Sequence, residues 1–198
     1  MSGRPTRQLL YSILVVAIVS AVTAAGTYAA FSGTTANPSN AFAAGTVSIS
    51  DNDAGGSVLS LSSATPGNSS TGCIKVTYSG SLNANVHLYG SASGSLPSYL
   101  TLTVTRGTDS SPSFASCSNF AADATNYIGS GAGVVYSGNL SAFPGTYAAG
   151  VVDPTAGSPA TWSTNSAHSY KFVVTVQNNA AAQGLSSTAS FTWEARNT

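Results

Sequence analysis

The residues able to carry catalysis are few and scattered. The chain has two histidines, His87 and His168, two cysteines, Cys73 and Cys117, and six acidic residues, Asp51, Asp53, Asp109, Asp123, Asp153 and Glu194. Neither histidine sits in the His-Glu-x-x-His helix that zinc peptidases use. His87 lies between Val86 and Leu88 and is expected on the polar face of a strand. His168, beside Ser166, Ala167 and Ser169, is expected in a surface loop. No Gly-x-Ser-x-Gly elbow surrounds a serine, and no carboxylates stand paired for acid–base work. No catalytic residue is assigned and no cofactor is expected. Asp51 and Asp53, with Asn52 between them, are the one metal candidate, a set of oxygen donors suited to calcium in a stretch that also reads as a turn. The run Gly129-Ser130-Gly131-Ala132-Gly133 superficially fits a phosphate loop. Val134, Val135 and Tyr136 follow it as a strand, however, so the helix dipole that would hold a phosphate is missing.

These residues sit in a chain built for export. The N-terminus carries Arg4 and Arg7, an apolar run over residues 9–25, and then small residues leading to Gly26-Thr27-Tyr28-Ala29-Ala30-Phe31. This is the three-part pattern of a secretory signal peptide. Thr27 and Ala29 supply the small side chains a signal peptidase requires, which places cleavage between Ala29 and Ala30. Uncleaved, the apolar run approaches the minimum length for a membrane anchor. Either way the remainder lies outside the membrane, because the arginines stay on the cytoplasmic side, and the leader is the only contact with the membrane that is expected. Cys73 and Cys117 suit that oxidising compartment and are expected as one disulfide, worth roughly 3–4 kcal/mol in the chain-entropy model.

Composition narrows the partners. Only 6% of residues are charged. Loss of the leader leaves four basic residues, Lys75, Arg106, Lys171 and Arg196, against six acidic ones, a net charge of about −2 with no basic patch for nucleic acid. Ser, Thr, Ala and Gly dominate, so the surface offers hydroxyls and backbone rather than charge.

Period-2 alternation organises the exported part. Leu100, Leu102 and Val104 oppose Thr101, Thr103 and Thr105; Tyr170, Phe172, Val174 and Val176 oppose Lys171, Val173, Thr175 and Gln177; Ala189, Phe191, Trp193 and Ala195 oppose Thr192, Glu194 and Arg196. Shorter strands are expected at 46–50, 58–61, 74–78, 84–89 and 133–136. Turn residues separate them, among them Asp51-Asn52-Asp53, Thr65-Pro66-Gly67-Asn68, Arg106-Gly107 and Gly138-Asn139. Seven to nine such strands predict an all-β antiparallel sandwich or jelly roll. The longest gap, 108–131, holds Cys117 and is expected as an excursion tied back by the disulfide. The organisation that follows is a leader over 1–29, a polar flexible segment over 30–45 and a β-sandwich domain over 46–198.

Gly26-Thr27-Tyr28-Ala29-Ala30-Phe31-Ser32, followed by Asn40-Ala41-Phe42-Ala43-Ala44-Gly45-Thr46-Val47, resembles the TasA/camelysin family of exported bacterial proteins. Members share a Gly-Thr-aromatic-Ala junction cut by a SipW-type signal peptidase, then an Asn-x-Phe-x-x-Gly-Thr segment entering the first strand. Ala64-Thr65-Pro66-Gly67-Asn68 looks like the family's Pro-Gly-Asp turn, with Asn68 in the acidic position. The ending Ala180-Ala181-Ala182-Gln183-Gly184-Leu185 through Phe191-Thr192-Trp193-Glu194-Ala195 is similar to exported actinobacterial proteins with this leader. The resemblance implies a jelly-roll domain that self-associates head to tail into fibres of the biofilm matrix. The segment 30–45 of one subunit would complete the sheet of the next, with Phe31 and Phe42 as anchors, since an added strand satisfies unpaired main-chain groups. Camelysin itself is described as a metallopeptidase, an activity for which this chain has no zinc motif. A monomeric surface-binding or adhesive module and a camelysin-type peptidase are the alternatives to the structural role.

Overall fold

The alternation of apolar and hydroxyl residues resolves into two antiparallel sheets packed face to face. The computed structural model describes residues 45–61, 65–155 and 158–198. The leader, the Ala29/Ala30 junction, Phe31, Phe42 and all of the 30–45 segment except Gly45 lie outside them. The described strands are β1 (Ile49–Asp51), β2 (Ser69–Tyr78), β3 (Ala84–Gly94), β4 (Leu100–Asp109), β5 (Phe120–Ala122), β6 (Val134–Asn139), β7 (Val151–Val152), β8 (Pro154–Thr155), β9 (Ser158–Pro159), β10 (Thr161–Trp162), β11 (Ala167–Val176) and β12 (Ser187–Asn197). The front, six-stranded sheet runs β1-β2-β11-β4-β5, with β6 also on β4. The back, four-stranded sheet runs β10-β3-β12, with β7 also on β3; β8 and β9 form a small hairpin.

Side chains of one parity from each long strand make the core, as strand geometry requires. From the front sheet come Ile74, Val76 and Tyr78, Tyr170, Phe172, Val174 and Val176, and Leu100, Leu102 and Val104. From the back sheet come Ala84, Val86 and Leu88, with Phe191 and Trp193 packed on them. Phe172 joins the layers, its ring 4.6 Å from that of Phe191 and 5.9 Å from that of Trp193. The threonines of β4 and β11 take the opposite face, so the all-β antiparallel sandwich read from the sequence is the fold of the described residues.

Several local readings change. Arg106-Gly107 and Gly138-Asn139, expected as turns, lie inside β4 and β6. Residues 58–61 are not a strand. They cross the inner face of β2, where the Val58 carbonyl lies so close that a Cβ on Gly72 would sit 1.9 Å from it. The Ser60 N–H goes to the Ser70 hydroxyl at 3.3 Å instead of to a neighbouring strand. Val58, Leu59 and Leu61 thereby pack against the core. The 108–131 gap is only partly an excursion, since β5 pairs Phe120–Ala122 with the end of β4. His168 belongs to β11, not to a loop, because its parity matches Tyr170 and Phe172 and carries it inward.

Cys73 and Cys117 form the expected disulfide, with Cα atoms 5.2 Å apart. The bond docks the 110–119 stretch on the outer edge of β2, where Ala115 donates its N–H to Cys73 O at 2.9 Å.

Candidate functional site

Arg106 follows Leu100, Leu102 and Val104 at an inward-facing position of β4, and a guanidinium placed there must be paired. It is only 8% exposed. Two carboxylates meet it. Arg106 Nε and Nη2 donate to the two oxygens of Asp153, which is 4% exposed, and Arg106 Nη1 donates to Asp123 Oδ2. Trp162 Nε1 donates to Asp153 Oδ2 at 2.6 Å, and the Tyr170 hydroxyl to Asp153 Oδ1 at 3.0 Å. The Tyr127 hydroxyl donates to Asp123 Oδ2 at 2.8 Å. His168 Nε2 lies 2.9 Å from Arg106 Nη2.

Six segments are tied by this network: β4, β10, β11, the residue between β7 and β8, the residue after β5, and the loop bearing Tyr127. Burial works against the Arg106 charge, but Asp153 and Asp123 outweigh it and hold the guanidinium pKa above its ordinary value. Burial, followed by the Asp153 charge, pushes the Tyr170 hydroxyl well up, so it remains a donor. Burial lowers the His168 pKa, against the pull of Asp153. Both oxygens of the Asp153 carboxylate accept hydrogen bonds, and the arrangement ties these segments together.

The backbone is shaped for this cluster. Gly133, at φ +71°, receives the Arg106 N–H on its carbonyl at 2.8 Å, and a Cβ there would lie 2.5 Å from Arg106 O. The glycine run that superficially fits a phosphate loop therefore serves the close approach of two backbones.

Asp51 and Asp53 build a turn. Asp51 Oδ1 accepts from Asp53 N–H at 3.2 Å, and Asp53 Oδ1 from Gly55 N–H at 2.7 Å. Burial, with the neighbouring Asp53, raises the Asp51 pKa. Asn52 Oδ1 accepts the Lys75 N–H at 2.9 Å, covering part of the β2 edge. His87 lies on the outer face of the back sheet, as its alternation predicts. Its ring stacks on Tyr147 at 4.0 Å, and Nδ1 is 2.7 Å from Tyr147 O.

The longest edge strand among the described residues is β12. β12 pairs with β3 through all eleven of its residues, from Ser187↔Gly94 to Asn197↔Ala84, and with no second strand among the described residues. Its charges, Glu194 and Arg196, sit in the C-terminal part and pair with each other at 2.7 Å. Residues 187–193 are uncharged. Their outward hydroxyls join those of β3, Ser190 to Ser91 at 2.9 Å and Thr188 to Ser93 at 2.8 Å.

Two packed antiparallel sheets with a disulfide define a β-sandwich class. Within it, residues 6–93 match the family described as camelysin metallo-endopeptidase. That match bears out the resemblance to the TasA/camelysin family, whose proteins are extracellular or surface-associated. Comparison with curated proteins gave no match.

The zinc centre implied by the family's description does not fit the donors present. Among the described residues no group of three or more His, Cys, Asp or Glu is placed to hold a metal ion. Residues 1–44, 62–64 and 156–157 contain none of these four types. His87 faces out from the back sheet while His168 faces into the sandwich against Arg106, so the two imidazoles do not converge.

Proposed function

We propose that this protein is a secreted structural component of the cell surface or biofilm matrix, which forms or decorates extracellular fibres by strand addition. The observation that carries the reading is β12, a long strand hydrogen-bonded on one side only among the described residues. Natural edges of this length are blunted by charge, bulges or cover. Here the charges lie at Glu194 and Arg196, which leaves 187–193 as the receptive stretch. Among the described residues, 57–61 give the core apolar cover without main-chain bonds to β12, and the reading has an incoming strand bond to the groups on that side.

The donor in this reading is the 30–45 segment of a neighbouring copy. Its downstream end is anchored beside the end of β12: Ser81 N–H donates to Thr46 O at 2.9 Å, and Thr198 N–H to Asn83 O at 3.2 Å. In this reading a second molecule presents the segment to residues 187–193 of β12. Head-to-tail contacts of this kind propagate as open filaments.

Negative-stain imaging of the mature protein, paired with a Ser190→Lys, Thr192→Lys variant that charges the receptive stretch, tests the reading. Filaments from the parent and none from the folded variant are expected. A parent that stays monomeric at high concentration, or filaments undiminished in the variant, would sink it. Zinc-dependent casein cleavage by the same preparation would favour the peptidase alternative.

A further inference from the structure

The arrangement around Arg106 depends on one proton. A guanidinium offers donors only and does not deprotonate in proteins, so Arg106 Nη2, 2.9 Å from His168 Nε2, must donate to it. His168 Nε2 must then carry a lone pair, with the ring neutral and its proton on Nδ1. The same Nε2 lies 3.9 Å from Asp153 Oδ2, too far for a hydrogen bond but within a small ring movement of one. That oxygen is already shared by Trp162 Nε1 at 2.6 Å and Arg106 Nη2 at 3.3 Å.

We propose that His168 is an acid-operated latch on the sandwich, accepting from Arg106 when neutral and turning to Asp153 when protonated. On acidification Nε2 takes a proton from solvent, which reaches the ring through its 24% exposed side chain. Nε2–H and Arg106 Nη2–H then oppose each other across 2.9 Å. The imidazolium swings toward Asp153 Oδ2 and competes there with Trp162 and Arg106. One N–H bond forms at Nε2 as hydronium gives up its proton and becomes water; one acceptor is lost to Arg106 and one donor is gained by Asp153.

The groups facing His168 account for its behaviour. Arg106 approaches from β4, Asp153 from between β7 and β8, and Asp123 from beyond β5. The indole of Trp162 on β10 meets the ring edge-on at 4.7 Å. Tyr170, on the same strand, and Tyr127, in the loop after β5, hold the two carboxylates in place. Burial and Arg106 oppose protonation and the carboxylates favour it, with burial the largest influence. The folded-state pKa is therefore below the unfolded value of about 6.5. The stabilisation is intact above about pH 6.5 and is lost as the pH falls through the folded value. Asp153 ties the β7–β10 stretch, and Asp123 with Tyr127 ties the loop after β5. These two segments are the ones that acid loosens.

The test is an NMR titration of the mature protein from pH 7.5 to 5, following the His168 ring nitrogens and the Trp162 indole N–H, with thermal melts alongside. His168→Gln keeps an acceptor for Arg106 and cannot titrate; His87→Gln removes the other histidine as a source of signal. We expect the His168 and Trp162 resonances to move with one midpoint below 6.5. The melting temperature should fall over the same range in the parent and in His87→Gln, and much less in His168→Gln. A Trp162 indole signal that ignores the His168 titration would overturn the latch, and this is read on the parent protein even if the glutamine variant fails to fold. A melting curve of His168→Gln that falls in parallel with the parent would do the same.

Discussion

Lys171 holds its ammonium 5.3 Å from the ring centroid of Phe120, reaching from the centre of the front sheet to the short strand that follows Cys117. Two residues from different segments of sequence thus fasten the disulfide-bearing excursion at a second point. The excursion is a structured part of the sheet, with the disulfide at one end and the Asp123–Arg106 pair at the other.

Removal of the disulfide should accordingly destabilise without abolishing the fold. Cys73→Ser with Cys117→Ser is expected to lose roughly 3–4 kcal/mol, the loop-closure value for its 44-residue separation. Denaturant melts of the parent with and without reductant give the same comparison in wild-type sequence. An unchanged midpoint on reduction would refute this.

The two carboxylates that hold Arg106 should differ in weight. Asp153 is nearly inaccessible and accepts from Arg106, Trp162 and Tyr170, whereas the Asp123 side chain is 19% exposed. Asp153→Ala is expected to destabilise by about 3–5 kcal/mol, the range for stranding a buried charge. Asp123→Ala should cost clearly less. Urea unfolding of both variants reads the order, and equal effects would contradict it.

Gly133→Ala should be destabilising by about 1–3 kcal/mol, because φ +71° is strained for alanine and its Cβ would press on Arg106 O. Gly129, also at positive φ but with open space around it, should tolerate the same change better. Thermal melts of the pair separate local backbone strain from contact with the cluster.

Chelation should leave the melting temperature where it is, and added calcium should not raise it. The Asp51 and Asp53 oxygens are engaged with the turn's own N–H groups. A calcium-dependent rise in the melting temperature, abolished by Asp51→Asn, would restore these residues as ligands.

Exported protein should begin at Ala30, since Thr27 and Ala29 meet the size requirement before the cut. Intact mass measurement decides it, and a species retaining Met1 through Tyr28 would show the apolar run acting as an anchor.

How much of this could be read in advance depends on the range over which each interaction acts. Strands β4, β11 and β12 were legible because their alternation is local and long. The disulfide was legible because only one pairing of two cysteines exists. The Arg106 cluster was missed, since its partners lie 17, 47 and 62 residues away and no periodicity links them. A usable trace was nonetheless present. Arg106 continues the inward parity of Leu100, Leu102 and Val104, and His168 that of Tyr170 and Phe172. In so weakly charged a chain, a cation at a core parity calls for a carboxylate, and Asp153 stands alone among Val151, Val152 and Pro154. The bridges β7 to β10 left no such trace, because two-residue strands carry no pattern. Residues 58–61 showed the reverse error: β-branched and apolar content fits a strand, but a close crossing at Gly72 decides their path.

The long partner of β3 is β12, with Ser91 meeting Ser190 across 99 residues of sequence. A chain threaded through a membrane from its N-terminus would release β3 long before β12 arrives. Until then Val86 and Leu88 have no back layer to complete, and the sandwich cannot close on a half-emerged chain. Pairing over so long a separation is slow, so a chain threaded in this way would complete its back sheet only once its last strand is free.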